Sequence, residues 1–367
     1  MDLEVQIMAV VVAVACALPG CFLVLRRMAL LSDAISHSIL LGIVLAFFWV
    51  RDLASPVLIL AAAVTGVVTV ALVEALHATR RVKEDAAIAL VFPALFSVAV
   101  LLIARHAGDV HLDVDAVLLG ELAFAPLRRF SWNGVDLGPK TLWVMGAILL
   151  LNAAFLGLFY KELKLSTFDR GLSAALGFSP AVVQYAFMST VSVTAVGAFD
   201  AVGSILVVAL MIAPPAAARL LTHRLPLLLL LSAVFAAASA LLGFQVALWL
   251  DASIAGCMAV ATGVLFTGAL LLAPDRGVLA RLVVRRRQRV EFAGLMLSIH
   301  LLNHEGTPRA PEENRLGHLP EHLRWSDDFA LRVARHAERE GLLTRSGDGR
   351  LDLTPLGREA ARHLMVR

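Results

Sequence analysis

Asp33 and His37 stand four residues apart in Ser32-Asp33-Ala34-Ile35-Ser36-His37-Ser38, a stretch lying between two apolar runs. On a helix that spacing stacks a carboxylate and an imidazole on one face. The pair is a donor set suited to a first-row divalent ion, and ionisable groups at membrane depth mark ion or substrate paths. One pair offers two ligands, and a second copy across a dimer axis would bring four. The structural alternative is that Ser32 and Asp33 cap a helix while His37 bonds a neighbouring carbonyl.

Two further groups could do chemistry. His106, Asp109, His111, Asp113, Asp115 and Glu121 cluster in one polar segment. Alternation at 111, 113 and 115 places three side chains on one face of an extended strand. An acidic vestibule, a partner dock and a solvated loop all fit that pattern. Asp200 sits beside the breakers Gly197 and Gly203, where it lines a cavity or caps the run that follows, since irregular backbone at membrane depth needs protein or water around it.

The elements that must position these groups are membrane helices. Hydrophobic residues make up 59% of the 367 and charged residues only 17%, against about 25% charged in average soluble chains; mean hydropathy is +0.81. A bilayer core of roughly 30 Å takes about 20 apolar residues per helix. Spans are drawn at 5–25, 28–50, 54–76, 86–105, 141–160, 182–198, 202–218, 226–248 and 252–273. The stretch 182–218 counts as two helices or as one interrupted helix. The opening Met1-Asp2-Leu3-Glu4 is acidic where a signal peptide is basic, so the first run reads as a retained helix. Cys16, Cys21 and Cys257 all fall in apolar spans and read as packing residues.

Basic clusters at Arg26-Arg27, Arg80 to Lys83, Lys161 to Arg170, Arg219 to Arg224 and Arg276 to Arg289 fall on one side if nine spans begin outside. Short cytoplasmic loops collect Lys and Arg, so that side is cytoplasmic and the C-terminus lies inside. Arg128-Arg129, in the long external loop, is the exception. The cluster from Arg276 to Arg289 directly follows a span, a placement that favours anionic lipid headgroups over nucleic acid.

From about residue 290 the composition is that of a soluble domain. Phe292, Leu295, Met296, Ile299 and Leu302 have helical spacing, and Ser326-Asp327-Asp328 can cap a helix running to about Glu340. Leu342–Arg345 and Arg350–Leu353 read as two strands around a Gly-rich turn. Thr354-Pro355 opens a last helix. Eleven Arg against twelve Asp plus Glu leave no basic surplus for phosphate contacts, so no nucleic acid is expected. Six of the eleven histidines lie here, and His300/His304 and His318/His322 are i,i+4 pairs that could bind metal if both segments are helical. No GxxxxGK[ST] phosphate loop is present, nor HExxH or GxSxG.

The run Arg27 to Gly42 around Asp33 and His37 resembles the signature of the manganese/zinc/iron permease family of ATP-binding-cassette importers. His111 to Asp115 with Leu119 to Leu122 is similar to a segment of its manganese members. Lys161-Glu162-Leu163, with Thr167, Phe168, Asp169 and Ala174 to Gly177, looks like its cytoplasmic coupling segment, and Ile212 to Ala217 matches a later helix motif. The likeness covers about residues 5–275. Residues 290–367 resemble the winged-helix domain of metal-dependent repressors through Gly341-Leu342-Leu343, the Gly-rich wing and Leu353 to Ala360.

The resemblance implies an all-α polytopic membrane protein of eight or nine transmembrane helices (1–275), a basic juxtamembrane linker (276–289) and a small α+β winged-helix-like cytoplasmic domain (290–367). It implies a multi-pass permease of the bacterial plasma membrane, itself not an enzyme and holding no permanent cofactor, that moves Mn²⁺, Zn²⁺ or Fe²⁺ by alternating access. Implied partners are a second permease copy, a cytoplasmic ATPase dimer and an extracytoplasmic metal-binding lipoprotein. Asp33 and His37 would be the metal ligands; His111, Asp113, Asp115, Glu121 and Asp200 would serve entry or docking; Thr167, Phe168, Asp169, Ala174 and Gly177 would couple to the ATPase. Competing expectations are a permease for a metal chelate, a membrane-tethered metal-responsive regulator and an ion-driven transporter. The regulator would need a basic recognition helix, yet Arg332, Arg335 and Arg339 are offset by Asp327, Asp328, Glu338 and Glu340.

Overall fold

A computed structural model describes residues 2–51, 55–106, 122–132, 135–308, 310–347 and 349–365. The chain divides into two compact units, Met1–Ala273 and Pro274–Arg367.

The first unit opens with α1 (Asp2–Arg26), α2 (Ala29–Val50), α3 (Pro56–Ala78) and α4 (Glu84–His106). A 3-10 turn at Leu122–Leu127 precedes the hairpin of β1 (Arg129–Trp132) and β2 (Val135–Pro139). Then come α5 (Lys140–Leu158), the short α6 (Tyr160–Phe168) and α7 (Arg170–Ala175), and the long α8 (Pro180–Leu221), α9 (Leu225–Leu250) and α10 (Ile254–Leu272). Among the described residues eight helices are long and apolar enough to cross a bilayer. The chain is therefore a multi-pass membrane protein.

α8 has 42 residues, about twice what one crossing needs. It is interrupted at Gly203, whose φ of 78° and ψ of 166° suit only a residue without Cβ. The contacts of its two halves show what the break does. In the first half Gln184 accepts a hydrogen bond from Arg26, at the end of α1, and Thr194 shares Asn152 with the Ala15 carbonyl. In the second half the Met211 backbone lies against Gly20, and Arg219 donates to the Val24 carbonyl at 3.0 Å. Gln184 and Arg219 thus meet the same end of α1, whereas a straight helix would hold them about 52 Å apart. The chain reverses at Gly203, and α8 is a helical hairpin. The two short apolar spans expected at 182–198 and 202–218 fall in its two arms.

α1 and α8 form the centre of the bundle. In their most apolar stretches 67% and 61% of residues are buried, against 17% for α4 and α10. Close approach replaces the hydrophobic drive that lipid cannot supply. A Cβ at Gly20 would overlap the Met211 carbonyl oxygen, one at Gly66 the Ser192 hydroxyl, and one at Gly243 the Met258 backbone. Polar side chains inside the bundle are satisfied locally: Ser232, Ser239 and Thr262 each donate to the carbonyl four residues back. Cys16 and Cys21 are buried, and Cys21 donates to Ser232 Oγ at 3.1 Å.

The second unit contains α11 (Val278–His304), α12 (Ala310–Glu313), α13 (Leu319–Leu323), α14 (Asp327–Arg339), β3 (Leu343–Arg345), β4 (Leu351–Leu353) and α15 (Pro355–Met365). The basic run to Arg289 is the first half of α11. Leu297, Leu301, Leu319, Val333, Leu343 and Leu351 make a separate core. β3 and β4 pair antiparallel, with Leu343 opposite Leu353. Glu305 meets Arg358 at 2.7 Å, fixing the end of α11 to α15 and holding the Glu305 carboxyl below its ordinary range.

Gly20→Leu should lower the thermal stability of the detergent-purified chain, because overpacking a close contact costs about 1–3 kcal/mol. Gly263→Leu, where a Cβ meets nothing within 4 Å, should leave it unchanged. Equal melting of the two variants in a size-exclusion thermal assay would reject the close approach of α1 and α8.

Candidate functional site

α2 begins at Ala29, with Met28 as its N-cap residue. Ser32 and Asp33 therefore lie inside the helix, and the capping alternative fails. Ser32, Ser36 and Ser38 are buried and donate to carbonyls three or four residues back; Thr69 of α3 donates to Ser38 Oγ at 2.7 Å. These hydroxyls need no outside partner. Asp33 and His37 differ. His37 Nε2 is 3.5 Å from Asp33 Oδ1, and their side chains are 29% and 44% exposed respectively. The imidazole is flanked by Phe92 and Phe96 of α4, with ring centroids 5.9 and 6.1 Å away. The result is one carboxylate and one imidazole on a half-open helix face backed by two phenyl rings. Two donors do not complete the shell of a first-row ion; further ligands would have to arrive from the open side.

At the opposite end of α1 from Arg26, Arg129 reaches both Glu4 of α1, at 3.5 Å, and Asp136 of β2. Asp200 neither caps a helix nor is buried; it is 75% exposed and meets Arg128 at 3.4 Å. His111, Asp113, Asp115 and Glu121 lie outside the described residues.

The segment from Tyr160 to Gly177 is a pair of short helices joined at Asp169. Its carboxylate accepts from the Leu172 amide at 2.8 Å and so caps α7. Phe168 is 62% exposed, and Ala174 is also exposed. Gly177 closes α7 with φ +87° and donates from its amide to the Ala174 carbonyl at 3.0 Å. Thr167 accepts from Arg26 at 3.0 Å. Sequence reading gave Arg26 no role beyond its charge, and it did not single out Gln184, an amide side chain in an apolar run.

In the second unit His300 and His304 are one turn apart on α11, with ring centroids 4.7 Å apart. His318 precedes α13 and lies 6.0 Å from His322 within it; His322 is 6.1 Å from His300. The four predicted residues therefore gather on one side of the unit. His304 Nε2 sits 2.9 Å from Glu313 Oε2. Burial, then the neighbouring His304, lowers the His300 pKa. Among the described residues no group of three or more His, Cys, Asp or Glu is arranged to hold a metal ion.

Residues 3–273 match the ABC 3 transport family. The chain is 49% identical over 347 residues to the zinc transport system membrane protein TroD of Treponema pallidum (strain Nichols), covering 95% of this chain and 94% of that one. An alignment of that length runs into the second unit. The manganese transport system membrane protein MntD of Bacillus subtilis (strain 168) is 44% identical over 296 residues, covering 80% of this chain and 100% of MntD. Among solved structures, PsaBC from Streptococcus pneumoniae in complex with Fab shares the fold at a TM-score of 0.62 and 24% identity, covering 75% of this chain and 92% of that chain. A family match over residues 3–273, with relatives this similar, leads to one conclusion: the chain belongs to the ABC 3 transport family.

Proposed function

We propose that this chain is the membrane-spanning permease subunit of an ATP-binding-cassette importer for divalent transition-metal ions, Mn²⁺ foremost. The observation that carries the reading is the Asp33–His37 contact on a half-open face of α2. A carboxylate and an imidazole suit Mn²⁺ and Fe²⁺, and Zn²⁺ accepts them too. Relatives named for zinc and for manganese support metal as the cargo. A second permease copy, facing the open side with its own pair, would complete the coordination shell.

The proposed sidedness rests on charge. Because α8 doubles back, Arg26-Arg27, Arg80-Arg81, Lys161 to Arg170 and Arg219 to Arg224 all fall at the end of the bundle where α1 finishes. The rule for short basic loops supports a cytoplasmic assignment for that end, and on that reading the C-terminal unit lies inside. α6 and α7 then face a separate ATPase dimer, while β1 and β2 face an external metal-binding protein that hands over the ion. Permease chemistry is coordination and gating: metal–ligand bonds are exchanged, and no covalent bond of a substrate is made or broken. The C-terminal unit, with a helix, a strand pair and a closing helix, is proposed as a winged-helix-like domain that binds cytosolic metal through His300, His304, His318 and His322. On that reading the histidine rings rearrange when metal enters.

Radiometal uptake into proteoliposomes holding the whole transporter tests the main reading. Asp33→Asn and His37→Ala should each cut Mn²⁺ uptake by on the order of tenfold or more, since loss of even an outer-shell partner costs ~10–100-fold. Uptake at the unsubstituted rate in both variants would place the selective site elsewhere. Gly177→Leu forces a side chain into left-handed backbone; ATP hydrolysis should continue while uptake falls, and unchanged uptake would remove the coupling role. Titration of the detergent-purified chain with Mn²⁺ and Zn²⁺ should show a micromolar site that is lost in the His300→Ala/His304→Ala double variant. Identical isotherms would rule out metal binding by the tail.

A further inference from the structure

We infer that Arg26 is a positioning residue that transmits movement of the coupling segment to the transport helices; the inference rests on the permease reading above. Its guanidinium reaches two other helices at once. Nε donates to Thr167 Oγ1 at 3.0 Å and Nη2 to Ser166 Oγ at 2.9 Å, both on α6. Nη1 donates to Gln184 Oε1 on α8. The same group lies over the Phe187 ring, 4.9 Å from its centroid.

The chain of contacts continues. The other end of the Gln184 amide donates to Met28 Sδ at 3.3 Å, and Met28 is the residue from which α2 starts. Asp33 lies five residues further along that helix. A path of direct contacts therefore runs from α6 through Arg26 and Gln184 to the base of the helix that carries the Asp33–His37 pair. Beside it, Glu74, Arg170 and Gln184 line a cavity of about 320 Å³, and Tyr185 donates to Glu74.

The chemistry of the acceptors argues for a transmitting role over a simple clamp. All three are neutral oxygens; among the described residues the guanidinium makes no ion pair within 4 Å, and Glu74 and Arg170 act on it only as neighbouring charges. Two of the acceptors, Ser166 and Thr167, belong to the segment proposed to meet the ATPase, and each also donates to the Leu163 carbonyl, which keeps them in register with α6. A shift of α6 must either carry the guanidinium with it or break two charged hydrogen bonds. A planar fork can hold acceptors on two helices in fixed relative positions. An ammonium, with the same charge, cannot hold that geometry.

The experiment compares metal uptake and ATP hydrolysis in proteoliposomes containing the assembled transporter. Arg26→Gln should assemble and hydrolyse ATP while uptake per ATP falls about tenfold, the size expected from one lost charged hydrogen bond. Arg26→Lys should lie nearer to Arg26→Gln than to the unsubstituted protein. Thr167→Val, which keeps shape and removes the hydroxyl, should lower the same ratio and add little when combined with Arg26→Gln, because the two substitutions break one network. An unchanged uptake-to-ATP ratio in Arg26→Gln would overturn the inference. If Arg26→Gln does not assemble, the ratio in Thr167→Val decides in its place. Absence of metal uptake by the unsubstituted transporter would instead defeat the permease reading itself.

Discussion

Hydrocarbon offers a backbone amide no hydrogen-bond partner but the chain itself, so any turn made at membrane depth must be sheltered by protein. Gly203 is such a turn. Its positive φ reverses α8 between α1 and the other central helices, and the contacts of Gln184, Thr194, Met211 and Arg219 along α1 all follow from that reversal. Without it, α9 and α10 would enter from the opposite side, and the basic clusters would no longer share one end. The order of the whole membrane unit depends on one residue that lacks a side chain.

The same constraint separates structural polar groups from functional ones. Serine and threonine hydroxyls within the helices return to carbonyls on their own turn, and Asn152 is consumed by Ala15 and Thr194. Among the described residues the one ion pair of Asp33 and of His37 is with each other, on a face that stays half open. In a medium that punishes unsatisfied polarity, retaining such a pair argues for a ligand that comes and goes. The guanidinium of Arg26 lies between these extremes, with its donors used on neutral groups from two other helices.

Much of this architecture was legible in the residue string, for physical reasons. Lipid-facing helices are apolar around their circumference, so the spans could be drawn from hydropathy alone, and the i,i+4 spacing of Asp33 and His37 gave their shared face directly. The double crossing was half legible: Gly197, Asp200 and Gly203 marked a break, but only long-range contacts reveal its direction. The Arg26 network was not legible, because its partners lie 140 residues or more away along the chain. Asp200 was legible as an acidic residue at a break, but its exposure and its contact with Arg128 come only from the fold. In the tail, His300 and His304 share a helix as their spacing suggested, whereas His318 stands before a five-residue helix and meets the others only through folding.

The contact between Gly20 and Met211 has a consequence for how the sequence can vary. Pro214 and Pro215 sit inside the returning arm of α8, and a proline has no amide to offer the carbonyl four residues earlier. Pro215 therefore withholds the helical donor from Met211, the same carbonyl that faces the bare backbone of Gly20. The two positions are linked across the helix pair. A residue larger than glycine at 20 crowds the very oxygen that the proline at 215 has left outside the ladder. Replacing that proline draws the oxygen back into its own helix and relaxes the demand at position 20. Substitutions at 20 and 215 are thus expected to be tolerated together more readily than substitution at 20 alone, a dependence between sites 195 positions apart that neither local sequence discloses.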